Sequence, residues 1–277
     1  MYAGSVILRF IIFILGFGAL FWFVRFGNFL PEYKLSEDLR SIPTLFAAGN
    51  FIYSIFMGFT IQMQWAKWDS LVNANRGEIN MLRQLFIVAH HFPVKERSDI
   101  RYHIYRYLEE MVLSYKAKKS KTLRYRSKSV DEALIKVEDS MFAASKKYPD
   151  IGPQAFAYLT RAMEYREQKL QFINQQLPVG IRIFVIFATA IVIFGSLFLP
   201  FTTVAYNFYF TMVLAILAFG VYLIIEDFDH PHQPGIHHLS VEPYKHLKNE
   251  IKAKLEEYNY DFERAEERDK NDTFFEK

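Results

Sequence analysis

The chain has 277 residues, 51% of them hydrophobic, 17% aromatic and 23% charged, with formal net charge +3 and no cysteine. Residues 183–225 contain no Asp, Glu, Lys, Arg or His; at roughly 1.5 Å per residue they make about 65 Å of helix, enough to cross a ~30 Å hydrocarbon core twice. That excludes a soluble globular protein, the abundant Phe and Tyr exclude disorder, and the missing cysteine excludes disulfide frameworks, Cys-ligated metal centres and thiol catalysis.

A first span is predicted from about residue 6 to residue 24. Arg9 interrupts it and Arg25 stops it, both near an end where a long stem lets the guanidinium reach the headgroups. The basic n-region is poor and no small-x-small cleavage pattern follows Trp22, so this run reads as an anchor, not a signal peptide. The second span lies in the 26 uncharged residues between Arg40 and Lys67, with Ser41 as a cap candidate and Pro43 in the first turn. Asn50, Ser54, Gln62 and Gln64 make it more polar than lipid-facing helices tolerate, so one face is expected to meet protein or water. No proline follows until Pro93, and Leu71, Ile79, Leu82, Leu85 and Phe86 keep a mostly helical spacing, so the helix is expected to project beyond the membrane.

A helix over 95–118 carries Ile100, Ile104, Leu108 and Met111 on one face. Its Tyr102, Tyr105 and Tyr107, interleaved with basic residues, read as alternate faces of an amphipathic bundle, not as an RNA-binding surface. The basic run 116–128 reads as a solvated loop in preference to a site for acidic lipid or nucleic acid. Ser129-Val-Asp-Glu132 has capping-box spacing for a helix to about Lys147, Tyr148-Pro-Asp-Ile-Gly-Pro153 is a turn, and a helix over 154–176 leads to the third span. The third and fourth spans divide the long apolar run near Pro200, with Tyr206 and Tyr209 marking an interface. A charged helix over 241–268 is expected at the end.

The expected organisation is therefore all-α: transmembrane helices 1 and 2 in residues 1–66, a helical cytoplasmic insert in 67–177, transmembrane helices 3 and 4 in 178–225, and a juxtamembrane turn with a C-terminal helix in 226–277. The four spans should be continuous with the cytoplasmic bundle. Between Lys67 and Lys169 there are 20 Lys and Arg against 13 Asp and Glu, and 8 more Lys and Arg follow the fourth span. The hairpin between the third and fourth spans has none. Positive residues mark the inside, and Lys67, Arg76, Arg166, Lys169 and Arg182 were the ones expected near membrane ends. Both termini are thus expected in the cytoplasm, with Lys34 and Arg40 dissenting.

Asp227, Asp229, His230, His232, His237 and His238 are the most enzyme-like cluster, a donor set suited to Zn²⁺ or Mn²⁺. No helical His-x-x-x-His pair positions two ligands, and Pro231 and Pro234 interrupt the geometry, so a non-metal turn is preferred. Glycine-rich phosphate loops, nucleophile elbows and His-Glu-x-x-His are absent from the sequence. No enzyme, metal, cofactor or nucleic-acid partner is expected.

Phe51, Ile55 and Phe59 recur at i, i+4 and i+8, which stacks them along one helical stripe. Packing explains such a stripe within one chain; around a shared axis it would make an apolar constriction that gates ions by dewetting. Ser54-x-x-x-Gly58-Phe59, followed by Lys67-Trp68-Asp69 and then by Ile225-Glu226-Asp227 after the fourth span, resembles the bestrophin anion channels and their bacterial relatives. The order of two spans, a helical insert, two spans and an acidic turn is similar over most of the chain. The resemblance implies a bestrophin-like fold in the lipid bilayer of a bacterial inner membrane, and a homo-oligomer, a pentamer by preference, that passes small anions. It implies a neck at Phe51, Ile55, Gly58 and Phe59, polar pore positions at Asn50, Gln62 and Gln64, and a juxtamembrane turn at Glu226, Asp227 and Asp229. Lys67 stands where the family has Arg, and Asp227-Phe-Asp-His lacks the acidic run with which animal members clasp Ca²⁺. A membrane-anchored scaffold that moves no ion is the rival reading.

Overall fold

The computed structural model describes residues 3–26, 42–117, 127–197, 203–231 and 237–257. Among them the regular elements are all helical: α1 (Ala3–Phe26), α2 (Ile42–Val88), α3 (Val94–Ala117), α4 (Lys128–Lys147), α5 (Gly152–Asn174), α6 (Val179–Ser196), α7 (Val204–Asp229) and α8 (Glu242–Glu257). One turn of 3₁₀ helix, Ala89–His91, closes α2 ahead of Pro93. Four helices are long and apolar enough to cross a membrane: Ile7–Val24, Pro43–His91, Val179–Ser196 and Val204–Asp229. The chain forms two compact units, residues 1–70 with 175–239 and residues 71–174 with 240–277.

The first unit holds α1, α6, α7 and the N-terminal half of α2. Phe17 and Phe21 of α1 are buried with Val192, Ile193, Ala215 and Ala218, and the rings of Phe13 and Phe219 stack with centroids 4.0 Å apart. Met57, Val185 and Ile225 form a second cluster. Several polar side chains here pair with each other or with a nearby carbonyl, which lowers the cost of hydrocarbon surroundings. Tyr53 Oη lies 3.2 Å from Thr189 Oγ1, Ser54 donates to the Asn50 carbonyl at 2.8 Å and Thr60 to that of Phe56 at 2.9 Å. The expected Ser41 cap, the Pro200 turn and Lys34 and Arg40 lie outside the described residues.

In the second unit, Leu82 and Leu85 of α2 meet Ile104 and Leu108 of α3, Val137 and Met141 of α4, Leu159 of α5 and Leu247 and Ile251 of α8 in one core. The capping box expected at Ser129 does not form. Helix α4 begins at Lys128, with Ser127 as its N-cap in extended backbone and no side-chain capping bond; the Ser127 and Ser129 hydroxyls pair with each other at 3.0 Å instead. Helix α5 starts two residues earlier than expected, at Gly152, because the Gly152 N–H already bonds the Tyr148 carbonyl at 2.9 Å. Residues 258–268 of the expected C-terminal helix, and most of the basic run 116–128, are outside the described residues.

Candidate functional site

On α2, at about 100° per residue, Phe51, Ile55, Gly58, Phe59 and Gln62 fall within an arc of about 100°. Phe51 and Phe59 are each 68% exposed and Ile55 45%; Gly58 and Gln62 are exposed beside them, and a Cβ built at Gly58 would meet nothing within 4 Å. The structure thus gathers the sequence-predicted neck on one open face, with Gln62 as its polar member. Asn50 is half-buried on the other side. Gln64, 2% exposed, turns inward with Thr60, and its side-chain oxygen has no hydrogen-bond partner there.

Each carboxylate of the acidic turn at the end of α7 has a partner within the chain. Arg9 Nη1 lies 3.7 Å from Glu226. Asp227 Oδ2 accepts from the His237 backbone N–H at 2.9 Å and sits 2.9 Å from His237 Nδ1. Asp229, 3% exposed, accepts from the Leu177 N–H at 2.6 Å and from Arg182; Lys67 Nζ stands 3.8 Å away, an ion pair too long for a hydrogen bond. The His237 ring packs on Phe228, centroids 4.3 Å apart, with Trp65 and Trp68 at its edges at 6.3 and 5.9 Å. His230 points its Nδ1 at the Glu226 carbonyl, 3.1 Å away, His238 is exposed, and His232 is outside the described residues. Among the described residues no three His, Asp or Glu converge as a metal site.

The second unit contains a polar centre that the sequence reading missed. Glu78 of α2, 1% exposed, accepts from Tyr107 of α3 and Lys169 of α5, with Tyr244 Oη of α8 2.8 Å away. Lys169 also donates to Tyr244 at 2.7 Å, and Tyr244 Oη is 2.8 Å from Asn75 Oδ1. Nearby, Arg166 donates to Asp131 at 2.6 Å. Burial pulls the Lys169 ammonium below its usual range, with the Glu78 charge resisting. Burial first and the Glu78 charge second push the Tyr107 and Tyr244 phenols well up. Arg166 and Lys169, expected near a membrane end, are core ion pairs.

Four apolar spans among described residues whose regular elements are all helical, followed by an internally paired acidic turn, define an integral membrane protein of helical type. The chain belongs to the Bestrophin-like family: the family's model, a Bestrophin-like domain, matches residues 13–243. Comparison with curated proteins gave no match. Among solved structures, a membrane protein crystal structure matches with TM-score 0.68 at 11% identity, covering 89% of this chain and 97% of that one. A point mutant of a bacterial bestrophin homologue from Klebsiella pneumoniae matches with TM-score 0.65 at 10% identity, over 89% and 97%. The homologue solved by zinc phasing matches with TM-score 0.57 at 12% identity, again over 89% and 97%. At these identities the likeness shows the fold.

Proposed function

We propose that copies of this chain, a pentamer by preference, surround an axis in the bacterial inner membrane with the open face of α2 turned toward it, and that small monovalent anions pass along that axis. The observation that carries the reading is that Phe51, Ile55 and Phe59 are exposed beside Gln62 on one stripe of α2, opposite the face that packs through Met57, Thr60 and Gln64. In lipid such a stripe needs no explanation for its apolar members, but Gln62 and the exposed Asp69 two turns further on favour water at that face. A ring of the three apolar side chains sets the barrier by dewetting. Gly58 keeps the ring from closing with extra bulk, and the basic excess of the insert raises anion concentration at the cytoplasmic mouth. Both termini lie on that side.

Planar-bilayer recording of purified oligomers tests the proposal. Anion current is expected in wild type, and replacing Phe51, Ile55 and Phe59 together by Ala should raise it about tenfold or more. Absence of current from intact oligomers sinks the channel reading. It would leave the scaffold reading, to which the exposed Ile135 and Phe142 of α4 give some support.

A further inference from the structure

Inside the first unit, α1, α6 and α7 border an open apolar crevice of about 450 Å³. On α1 it is lined by Phe13, Gly16, Phe17 and Leu20, which follow Arg9 at i+4, i+7, i+8 and i+11. On α6, Ile186, Thr189, Ala190 and Ile193 line it at the same four offsets from Arg182, with Phe194 beside them. Residues at such offsets share a helix face, so each helix carries one guanidinium on the lining face, and both guanidiniums stand at the same end. Tyr222 of α7 walls the crevice and also a recess of about 130 Å³ that Leu177, Val185 and Ile225 line together with the charged side chains of Arg182, Glu226 and Asp229. The apolar space and the charged recess therefore adjoin.

From these features we infer that the crevice holds the acyl chain of an anionic phospholipid whose phosphate sits at Arg9 and Arg182. Depth supports this: 11 residues from Arg9 to Leu20 rise about 16 Å, close to half of a ~30 Å hydrocarbon core, the reach of one leaflet. Shape supports it too. At Gly16 the crevice is open enough that an added Cβ would touch nothing within 4 Å, so an unbranched chain can lie along the α1 backbone there. Charge completes the fit. The Arg9 and Arg182 side chains are 57% and 37% exposed, and each guanidinium has five N–H donors. Asp229 is buried and already accepts from Leu177 and Arg182, and the Arg9–Glu226 pair at 3.7 Å is loose. A phosphate can therefore accept from N–H groups of both arginines. The inference is independent of ion passage.

Native mass spectrometry of the full-length assembly, with added phosphatidylglycerol or phosphatidylcholine, tests it. Wild type should retain phosphatidylglycerol at one molecule per chain and prefer it over phosphatidylcholine. Gly16→Leu should weaken retention about tenfold, while Gly180→Leu, equally open but outside the crevice, should not. Arg9→Gln should narrow the headgroup preference by about fivefold, the worth of one basic residue near anionic lipid. Equal retention by wild type and Gly16→Leu overturns the inference, as does equal retention of the two lipids by wild type. A change in the number of chains on Gly16→Leu also overturns it, since the crevice is then a contact between copies.

Discussion

Glu78 is the residue on which the second unit turns, because it carries a carboxylate into a largely apolar interior. It is tolerable there because Tyr107 and Lys169 donate to it and Tyr244 lies within hydrogen-bonding distance. Replacing Lys169 by Met leaves that carboxylate buried without its cation, which costs roughly 3–5 kcal/mol. Adding Glu78→Gln removes the orphaned charge. Thermal unfolding of the full chain in detergent should therefore show Lys169→Met strongly destabilised and the double variant substantially recovered. A double variant no more stable than the single would place the effect in packing. Nothing local in the sequence marks this centre. Glu78, Tyr107, Lys169 and Tyr244 come from four helices, separated by as many as 166 positions, and each alone looks like an ordinary charge or amphipathic tyrosine. The neck stripe, by contrast, needs only the periodicity of one helix. The same arithmetic sets Gln62 and Gln64 about 200° apart, so their different surroundings were readable without coordinates.

At the scale of elements, α2 was legible because Pro43 and Pro93 bracket a run whose buried residues keep a helical period, and its 47 residues confirm the expected projection beyond the span. The start of α4 was not, since Ser127 and Ser129 offer competing caps and the tertiary setting chooses between them. The α4–α5 corner was readable as a turn, but the reason for its glycine was not. A Cβ on Gly152 would lie 2.5 Å from Ser145 Cα and 2.7 Å from its Cβ, so the two helices approach through backbone that cannot yield. Gly152→Ala should cost about 1–3 kcal/mol, the usual penalty for overpacking. Gly77→Ala provides the contrast: the atoms nearest its Cβ would be those of the Tyr165 ring, at 2.7 Å, and a side chain can shift more readily than backbone. Melting temperatures should fall clearly for Gly152→Ala and less for Gly77→Ala. The reverse order would mean that the Tyr165 ring, not the corner, is the rigid partner.

For the whole molecule, the buried phenols set an alkaline limit on stability. Tyr107, Tyr115 and Tyr244 are all held above the ordinary phenol value, in each case by burial first and by the Glu78 charge second. A group whose pKa is raised on folding contributes fully below its unfolded value, about 10 for tyrosine, and loses that contribution as pH rises toward the folded value. Each phenol then removes about 1.4 kcal/mol per pH unit across that window. Lys169 runs the other way. Its depressed pKa is a penalty for charging that fades as pH approaches the unfolded lysine value, about 10.4, so it raises stability on the approach to that pH. Three tyrosines outweigh one lysine above about pH 10. Thermal unfolding of the intact protein in detergent, followed from about pH 8 to 12, should be level or gently rising at first and then fall steeply. Tyr115→Phe keeps the ring and removes one ionisable group, so its alkaline limb should be shallower by about one phenol's share. An unchanged limb in that variant would move the alkaline limit away from this centre and onto groups elsewhere in the chain.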